Sequence, residues 1–310
     1  MNKPRIGVVG IPGKWSTEVL ADKLEQRTGF RAVFDMKDVE LRLDSNQLSC
    51  NGFDLSQLDG LVVKKISEIY APGTEDRIHM LAHLESLGVP VFSPTTSMSK
   101  LINRLSGTLV LQQGGIPMPK TRVTECPARA LDTLREFGSA IFKPLYSTKA
   151  RGMLMLGPQD SNAEVKSQLE AYRQTNSIFY IQQALDLHGR DLGMVFLGGE
   201  YLCTYARVAD AGAWNTTIES GGRYELFEPD AALIALGRRA QACFNLSFTT
   251  VDIALTDQGP VVFEVSAFGG FKGALEGCGV DAAHAYADYI LAQVENGMES
   301  GMESGMESAK

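Results

Sequence analysis

The stretch Thr249–Ser266, TTVDIALTDQGPVVFEVS, contains two apolar runs with one acidic residue inside each run. Both runs are rich in β-branched residues, which predicts strands, and the turn residues between them predict a hairpin centred on Asp257 and Gln258. In such a hairpin Asp252 and Glu264 are cross-strand neighbours, offset by about one residue. Two carboxylates this close repel each other unless a cation lies between them.

Glu264 also interrupts an apolar run of the kind that fills a buried strand. An unpaired charge in such a place costs several kcal/mol, so a partner for this carboxylate is expected. Oxygen-only ligands suit Mg²⁺, which commonly binds one or two carboxylates together with nucleotide phosphates. The two acids therefore predict a magnesium and nucleotide site, and a hydrogen-bonded structural acid pair is the alternative.

Length, charge and amino-acid composition limit the kind of protein that this chain can be. The chain has 310 residues, a formal net charge of −8 and 44% hydrophobic residues, which is typical of a globular protein with two or three domains. The acidic total argues against a nucleic-acid or membrane-surface partner. The first residues pass directly into a strand pattern, and the five cysteines show no CxxC spacing. We therefore expect a cytoplasmic protein with reduced thiols. The oligomeric state stays open, and a homo-oligomer is one alternative.

Strand and helix patterns alternate over residues 1–95, which predicts an N-terminal domain built on a parallel sheet. A hairpin-like pair, VELRL and QLSC, interrupts this alternation around residues 44–46. A helical run from Met98 to Gln113 ends at GGIP, where a second unit begins. We place that unit, with its linker helix, at 96–183, a third unit at 184–296, and a disordered low-complexity tail of GMES repeats at 297–310.

The segment AIFKPLYSTKARGM, residues 140–153, carries a lysine inside an apolar strand, followed by a loop of small, cationic and hydroxyl residues. An ammonium is costly in such a strand unless it meets an anion, so Lys143 and the loop as far as Gly152 predict a cover over a polyphosphate. The alternative is a lysine whose charged end reaches solvent beside a surface loop. An earlier glycine-rich segment, GVVGIPGKWST, lacks the spacing of a phosphate-binding P-loop.

These motifs follow one another in a family-specific order from about Asn103 to Gly273. Asn103 and Arg104 precede GIPMPKT; then come KPLYSTKARGM, QQA, GRDLG, an arginine on the next hairpin, and the acids of the C-terminal hairpin. This order resembles the ATP-grasp superfamily, and within it the branch of ribosomal-protein glutamate ligases, lysine-biosynthesis ligases and coenzyme glutamate ligases. The resemblance implies a two-subdomain ATP-grasp fold that follows an N-terminal α/β pre-ATP-grasp domain.

The resemblance also implies a reaction. ATP phosphorylates a small-molecule or peptide carboxylate, an amine attacks the acyl phosphate, and an amide, ADP and phosphate are released. The implied metal ligands, for Mg²⁺ or alternatively Mn²⁺, are Asp252, Glu264 and Ser266. The implied nucleotide-binding residues are Arg104, Lys143, Ser147, Gly152, Gln182, Gln183, Ala184, Leu185 and Asp191. Arg207 is the implied catalytic residue, and further candidates for an anionic substrate are Lys64, Lys65, Asn215 and Lys272.

The chain departs from the family pattern at several positions. Arg104 replaces a lysine, Gln183 a glutamate, Gly193 an arginine and Ser266 an asparagine, while Asn215 is the nearest polar residue where another arginine is usual. Two alternatives to a ligase therefore stay open. One is a catalytically degenerate ATP-binding regulatory protein, and the other is an ATP-grasp kinase that phosphorylates a hydroxyl or phosphate group.

Overall fold

The structure is a computed structural model that describes residues 3–210, 216–218 and 221–307. In the first unit the strands are β1 (Ile6–Val9), β2 (Val33–Phe34), β3 (Val39–Arg42), β4 (Gln47–Cys50), β5 (Phe53–Asp54), β6 (Gly60–Val63) and β7 (Val91–Phe92), and the helices are α1 (Trp15–Thr28) and α2 (Gly73–Ser86). The main sheet has the order β2-β1-β6-β7 and is parallel throughout, which confirms the predicted architecture. The predicted VELRL and QLSC pair is also confirmed, because β3 and β4 are antiparallel.

Two helices link the first unit to the second: α3 (Thr95–Ile102) and α4 (Arg104–Gln113). The sequence predicts one continuous helical run here, but the chain is extended at Asn103. The side chain of Asn103 accepts hydrogen bonds from the backbone N–H groups of Leu105 and Ser106, at 2.9 and 3.4 Å. Because asparagine is a favoured helix N-cap, this residue starts a second helix instead of continuing the first.

The central unit contains β8 (Thr121–Thr124), α5 (Pro127–Phe137), β9 (Ala140–Phe142), β10 (Leu154–Leu156), α6 (Asn162–Thr175) and β11 (Phe179–Gln183). Its antiparallel sheet has the order β10-β9-β11-β8. Apolar side chains of α5 and α6 pack on this sheet, where the rings of Tyr172 and Phe179 stack with their centroids 5.9 Å apart. The sheet thereby holds the ends of β9 and β11, which carry the residues predicted to bind a nucleotide, in fixed positions.

The last unit contains β12 (Arg190–Leu197), β13 (Glu200–Val208), β14 (Arg223–Leu226), α7 (Ala231–Ala242), β15 (Phe248–Thr256), β16 (Gly259–Ser266), α8 (Lys272–Cys278) and α9 (Ala282–Glu307). Its antiparallel sheet has the order β14-β13-β12-β15-β16. Strands β12 and β13 form a first hairpin, and the hairpin predicted for β15 and β16 is confirmed. The turn of the first hairpin uses Gly198 and Gly199 at φ 57° and 84°, a left-handed region that glycine adopts without steric cost.

The last helix packs against the first unit, not only against its own sheet. Buried residues of α9 share a core with Leu20 and Leu24 of α1, and Lys23 of α1 lies 2.8 Å from Asp281. The sequence predicts disorder from residue 297, whereas α9 continues to Glu307. This corrects the predicted tail: the repeat contains the good helix formers Met and Glu and no proline, and its glycines, although poor helix formers, do not end the helix. In the ranges that the structure describes, no helix has the length and apolar character needed to cross a membrane.

Candidate active site

Four oxygen-bearing side chains lie on one face of the hairpin formed by β15 and β16. Asp252 is the cross-strand partner of Glu264, and Thr250 is the partner of Ser266. Residues two apart on a strand share a face, so all four side chains point to the same side of the sheet. The predicted neighbourhood of the two acids is therefore confirmed, with direct pairing instead of an offset.

The burial of the two acids differs from the prediction. The side chain of Glu264 is 38% exposed, whereas Asp252 is buried. Burial raises the pKa of Asp252; Arg207 opposes this rise and the charge of Glu264 adds to it. Within the described residues, Oδ1 of Asp252 and the hydroxyl of Thr250 have no hydrogen-bond partner. The carboxylate that needs a partner is thus Asp252 and not Glu264.

This face fits a hard cation. No group of three or more His, Cys, Asp or Glu side chains that could hold a metal occurs in the described ranges. Mg²⁺ does not need such a cage, because it commonly takes one or two carboxylates and completes its shell with phosphate and water. The unpartnered oxygens of Asp252 and Thr250 are suitable donors for such an ion. Ser266 lies on the same face, and its backbone carbonyl accepts a hydrogen bond from the hydroxyl of Thr249 at 2.7 Å.

A buried ion triad borders these oxygens. Arg207 on β13 faces Asp191 on β12, and its Nε lies 3.1 Å from both oxygens of that carboxylate. Its Nη2 lies 3.0 Å from Oδ2 of Asp252. Burial lowers the pKa of Arg207, but the carboxylates of Asp252 and Asp191 outweigh it and raise the pKa well above its ordinary value. The guanidinium is thus charged and fixed in orientation.

The triad determines the surroundings of Asp191, a residue that the resemblance assigns to nucleotide binding. This residue is only 1% exposed and its carboxylate is engaged by Arg207, so it contacts the arginine here, and its contact with a nucleotide stays a prediction. A carboxylate at this depth would be costly without a cation, which explains why Asp191 and Arg207 are cross-strand partners. The sequence indicates Asp191 and Arg207 as separate site candidates, but their pairing depends on the register of β12 and β13.

Lys143 follows β9 and is buried. Its ammonium donates a hydrogen bond to the side-chain oxygen of Gln182 and lies 5.8 Å from the centre of the Phe263 ring. Burial lowers the pKa of Lys143 to about 7; the charge of Arg104 adds to this effect, and Glu264 opposes it. The ammonium thus meets a neutral amide oxygen in a buried position instead of lying beside an exposed loop, and its contact with a phosphate stays a prediction. A partly desolvated cation of this kind gains much from an incoming anion.

Arg104 connects the loop after β9 to the acidic hairpin. Its guanidinium donates to the backbone oxygen of Pro144 and to the hydroxyl of Ser147, both at 3.2 Å. On its other side it lies 3.6 Å from Oε2 of Glu264. Further along the loop, Gly152 has φ 68°, where glycine allows the reversal toward β10. The loop, the arginine and the hairpin acid thus form one connected group.

The predicted adenine segment begins at the end of β11. The amide nitrogen of the Gln182 side chain donates to the hydroxyl of Thr121 at 3.2 Å. The backbone N–H groups of Gln183 and Ala184 donate to the carbonyls of Lys120 and Ser139, at 2.8 and 3.0 Å. These contacts fix the start of the segment, and Leu185 follows directly. The backbone of this segment is therefore held in place where it leaves the sheet, beside Lys143.

The four further substrate candidates lie in different settings. Lys64 is buried, its ammonium donates to the backbone oxygen of Gly269 and lies 4.1 Å from the centre of the Phe271 ring, and burial lowers its pKa to about 7. This lysine therefore joins β6 to the loop after β16. Lys65 is half-buried, and Lys272 is exposed, 3.6 Å from Glu276. Asn215 lies outside the described residues.

The sequence prediction missed Tyr205, a buried residue two positions before Arg207 on the same face of β13. Its ring fills the space above Gly193 and beneath α8: a Cβ built at Gly193 would lie 2.4 Å from the ring, and one at Gly273 would lie 2.2 Å from it. The glycine that replaces the family arginine at 193 therefore makes room for this tyrosine. The signal in the sequence is the spacing of two between Tyr205 and Arg207, together with glycines at 273 and 277 on one helix face.

The model of the RimK-like ATP-grasp domain matches residues 102–290, which include the loop, the triad and both acids. The chain belongs to the RimK-like ATP-grasp family. Two relatives are tetrahydromethanopterin:α-L-glutamate ligases. The enzyme of Methanosarcina acetivorans is 22% identical over 94% of this chain and 99% of its own length, and that of Methanococcus maripaludis is 25% identical over 93% and 98%.

Solved structures share the whole fold. The RimK-domain ATP-grasp protein of Sphaerobacter thermophilus superposes with a TM-score of 0.71 at 20% identity, over 92% of this chain and 98% of that protein. The ATP-grasp ligase PsnB, in complex with a phosphomimetic precursor variant, Mg and ADP, superposes with a TM-score of 0.73 at 20% identity, over 94% and 100%. The identification of the chain as an ATP-grasp ligase of the glutamate-ligase-like branch is therefore confirmed.

Proposed function

We propose that this protein joins a carboxylate to an amine through an acyl phosphate. A carboxylate oxygen of the first substrate attacks the γ-phosphorus of ATP, the bond to the β-phosphate oxygen breaks, and ADP leaves. The amine nitrogen then attacks the carbonyl carbon, phosphate leaves with the bonding electron pair, and the nitrogen loses a proton. The products are an amide, ADP and phosphate.

One observation carries this proposal. A buried carboxylate, Asp252, has one oxygen held by Arg207 and the other without a partner among the described residues. An acid in this state suits a site where a divalent cation and a phosphoryl group meet, because the cation takes the second oxygen. A structural acid pair would instead satisfy both oxygens internally.

The surrounding residues take distinct roles in the proposed site. Lys143 and Arg104 neutralise the charge of the nucleotide phosphates, and the loop with Ser147 and Gly152 covers them. The segment from Gln182 to Leu185, with Gln183 and Ala184, borders the adenine. Arg207, held in place by Asp191, directs positive charge toward the transferred phosphoryl group.

Asp252, Glu264 and Ser266 would hold magnesium, and Mn²⁺ is a substitute with the same oxygen preference. When bound, the ion neutralises phosphate charge and stabilises the negative charge that develops during transfer. We infer a cytoplasmic site of action, because the reaction consumes ATP. For the amine we choose L-glutamate as the first compound to test, since the relatives are named α-L-glutamate ligases.

The test is turnover with Mg-ATP, L-glutamate and a panel of carboxylates and carboxyl-terminal peptides, with ADP and hydroxamate measured together. Hydroxylamine should trap the acyl phosphate as a hydroxamate when the natural amine is omitted. The Asp252→Asn protein is the background control. A stable phosphorylated product without hydroxamate would indicate a kinase, and AMP with pyrophosphate would contradict the proposed phosphoryl transfer. Binding of ATP with no turnover on any substrate would favour the regulatory alternative.

A further inference from the structure

Cations from three segments meet beside the loop after β9. Lys14 follows β1 and Lys65 follows β6, so both stand at the carboxyl edge of the parallel sheet, where β1 and β6 are neighbours. Arg151 comes from the loop. The exposed residue Glu68 connects two of these segments: its carboxylate lies 3.2 Å from the ammonium of Lys14, and its backbone oxygen accepts from Nη1 of Arg151 at 3.3 Å.

Among the described residues of this cluster, the three cations Lys14, Lys65 and Arg151 face one carboxylate, that of Glu68. Among the described residues no carboxylate lies within 4.0 Å of the Lys65 ammonium, although this side chain is half-buried. Burial lowers the pKa of Lys65, the positive charges of Lys149, Lys14 and Arg151 lower it further, and the charge of Glu68 opposes them. Such a concentration of like charge is not a consequence of composition, because the whole chain carries a net charge of −8. A bound anion would relieve the repulsion.

We propose that Lys14, Lys65 and Arg151 form a subsite for a second anionic group of the substrate, a carboxylate or a phosphate separate from the carboxyl group that is activated. This inference rests on the proposed ligase function and narrows its substrate to a multiply charged anion. The carboxyl edge of a parallel sheet is where α/β proteins bind ligands. The cluster stands at that edge and faces the loop that would cover the nucleotide.

The position of Arg151 adds a consequence for nucleotide binding. Because Arg151 belongs to the loop and Lys65 to the first unit, an anion that both residues contact draws the loop toward the first unit. Substrate and nucleotide then bind cooperatively, and the coupling is reciprocal. A simple surface patch would bind anions without this coupling.

The test measures binding directly, so it does not depend on turnover. With Mg²⁺ and a saturating non-hydrolysable ATP analogue present, calorimetry compares three tripeptides: Glu-Glu-Glu, Gly-phosphoserine-Gly and neutral Gln-Gln-Gln. The wild-type protein should bind at least one anionic peptide more tightly than Gln-Gln-Gln, and the tighter of the two identifies the anionic group. The preference should weaken as salt is raised, because the cluster is partly exposed.

The variants separate this subsite from general charge effects. Lys65→Gln should weaken binding of the anionic peptide about tenfold, and Lys65→Arg should restore it, because a charge-assisted contact is lost and regained. The matched control is Lys166→Gln, which removes the same charge from an exposed position on α6. The peptide should also tighten binding of the ATP analogue to wild-type protein but not to Lys65→Gln.

The proposal is overturned if Lys65→Gln and Lys166→Gln behave alike, or if wild-type protein binds no anionic peptide more tightly than Gln-Gln-Gln. A melting temperature equal to or above that of wild type verifies that Lys65→Gln is folded. Peptide binding that requires Lys65, in a protein that produces no hydroxamate, would uphold the subsite and remove the ligase mechanism. Hydroxamate formation that is insensitive to Lys65→Gln would uphold the ligase mechanism and remove the subsite.

Discussion

Nη2 of Arg207 lies 3.0 Å from Oδ2 of Asp252, while the other oxygen of the same carboxylate has no hydrogen-bond partner among the described residues. One side of this acid is therefore structural and the other is available to a ligand. This division explains how a single buried carboxylate can stabilise the sheet and also contribute to a metal site. It also means that the two roles can be separated experimentally.

The first prediction concerns the stability of the ligand-free protein as a function of pH. The folded-state pKa of Asp252 is raised above its ordinary value of 3.8. Its contribution to stability is therefore fully present below pH 3.8 and is lost as the pH rises through the folded pKa. Asp252→Asn removes this loss, so the melting temperature of the variant relative to wild type should be higher at pH 8 than at pH 5.

Thermal unfolding of both proteins at the two pH values checks this prediction. The control is Asp132→Asn, which neutralises an exposed acid on α5. The melting-temperature difference between wild type and Asp252→Asn could instead stay the same at both pH values. This result would show that Asp252 is ionised in the folded and the unfolded protein alike, so that its folded-state pKa is not raised into this range. In either case Asp252→Asn should abolish magnesium-dependent turnover, because the ion would lose a carboxylate ligand.

The second prediction concerns Lys143, whose buried ammonium donates its hydrogen bond to a neutral amide oxygen. Its folded-state pKa is lowered from 10.5 to about 7. For this group, stability is present above pH 10.5 and is lost as the pH falls through about 7. Lys143→Met keeps most of the side-chain volume without the charge, so it should stabilise the ligand-free protein most strongly at pH 6.

The same variant should bind Mg-ADP at least about tenfold more weakly, because a desolvated cation facing phosphate is removed. Calorimetry for Mg-ADP and chemical unfolding at pH 6 and pH 9 measure both effects. Lys166→Met serves as the exposed control. Unchanged affinity for Mg-ADP in a folded Lys143→Met protein would place this lysine outside the nucleotide site.

The third prediction concerns the packing of Tyr205 against Gly193. A Cβ at Gly193 would lie 2.4 Å from the tyrosine ring, so Gly193→Ala should lower the free energy of unfolding by about 1–3 kcal/mol through overpacking. In a Tyr205→Ala background the same substitution should cost much less, because the ring is absent. Urea unfolding of the four proteins measures this coupling.

Gly270→Ala is the matched control, because a Cβ at Gly270 has no neighbour within 4 Å. Equal costs of Gly193→Ala in both backgrounds would contradict the packing explanation. The same argument predicts that the family arginine cannot simply be restored at 193. Its Cβ meets the ring before the longer side chain can find a path.

Much of the fold is predictable from local pattern, since strand and helix signals alternate and the glycine turn at 198 and 199 is explicit. The break at Asn103 was missed because helical spacing continues across it, whereas capping by its side chain decides the backbone. The sequence does not show the extension of α9, because a repetitive, low-complexity composition predicts disorder. At Asn103 capping decides against a continuous helix, and sequence spacing alone does not show this.

The site was predictable as a set of residues but not as a set of contacts. Asp252, Lys143 and Arg207 follow from motif order, whereas the pairing of Arg207 with Asp191 depends on strand register. Burial was misjudged for the two hairpin acids, because alternation along a strand does not tell which acid lies nearer the centre of a five-stranded sheet. In that sheet β15 is internal and β16 is an edge strand, which accounts for the greater burial of Asp252.

The last prediction concerns Asp191, which we regard as a positioning residue that acts through Arg207. Asp191→Asn keeps the shape but removes the charge, so among the described residues Arg207 retains Asp252 alone as an anionic partner. The arginine should then draw more strongly on Asp252 and compete with magnesium for it. We expect a higher magnesium concentration for half-maximal turnover and a lower kcat, with little change in the affinity for ADP measured without metal. The free energy of unfolding should fall by about 3 kcal/mol, because a buried ion pair loses one partner.

A magnesium titration of turnover, together with urea unfolding, separates positioning from a purely structural role. Loss of stability alone would leave the magnesium requirement unchanged once the folded fraction is taken into account. Asp22→Asn, which breaks an exposed pair with Arg31, is the control for removal of one carboxylate. If Asp191→Asn lowers stability but keeps the wild-type magnesium dependence and kcat, Arg207 does not share Asp252 with the metal. The triad would then stabilise the sheet and take no part in phosphoryl transfer.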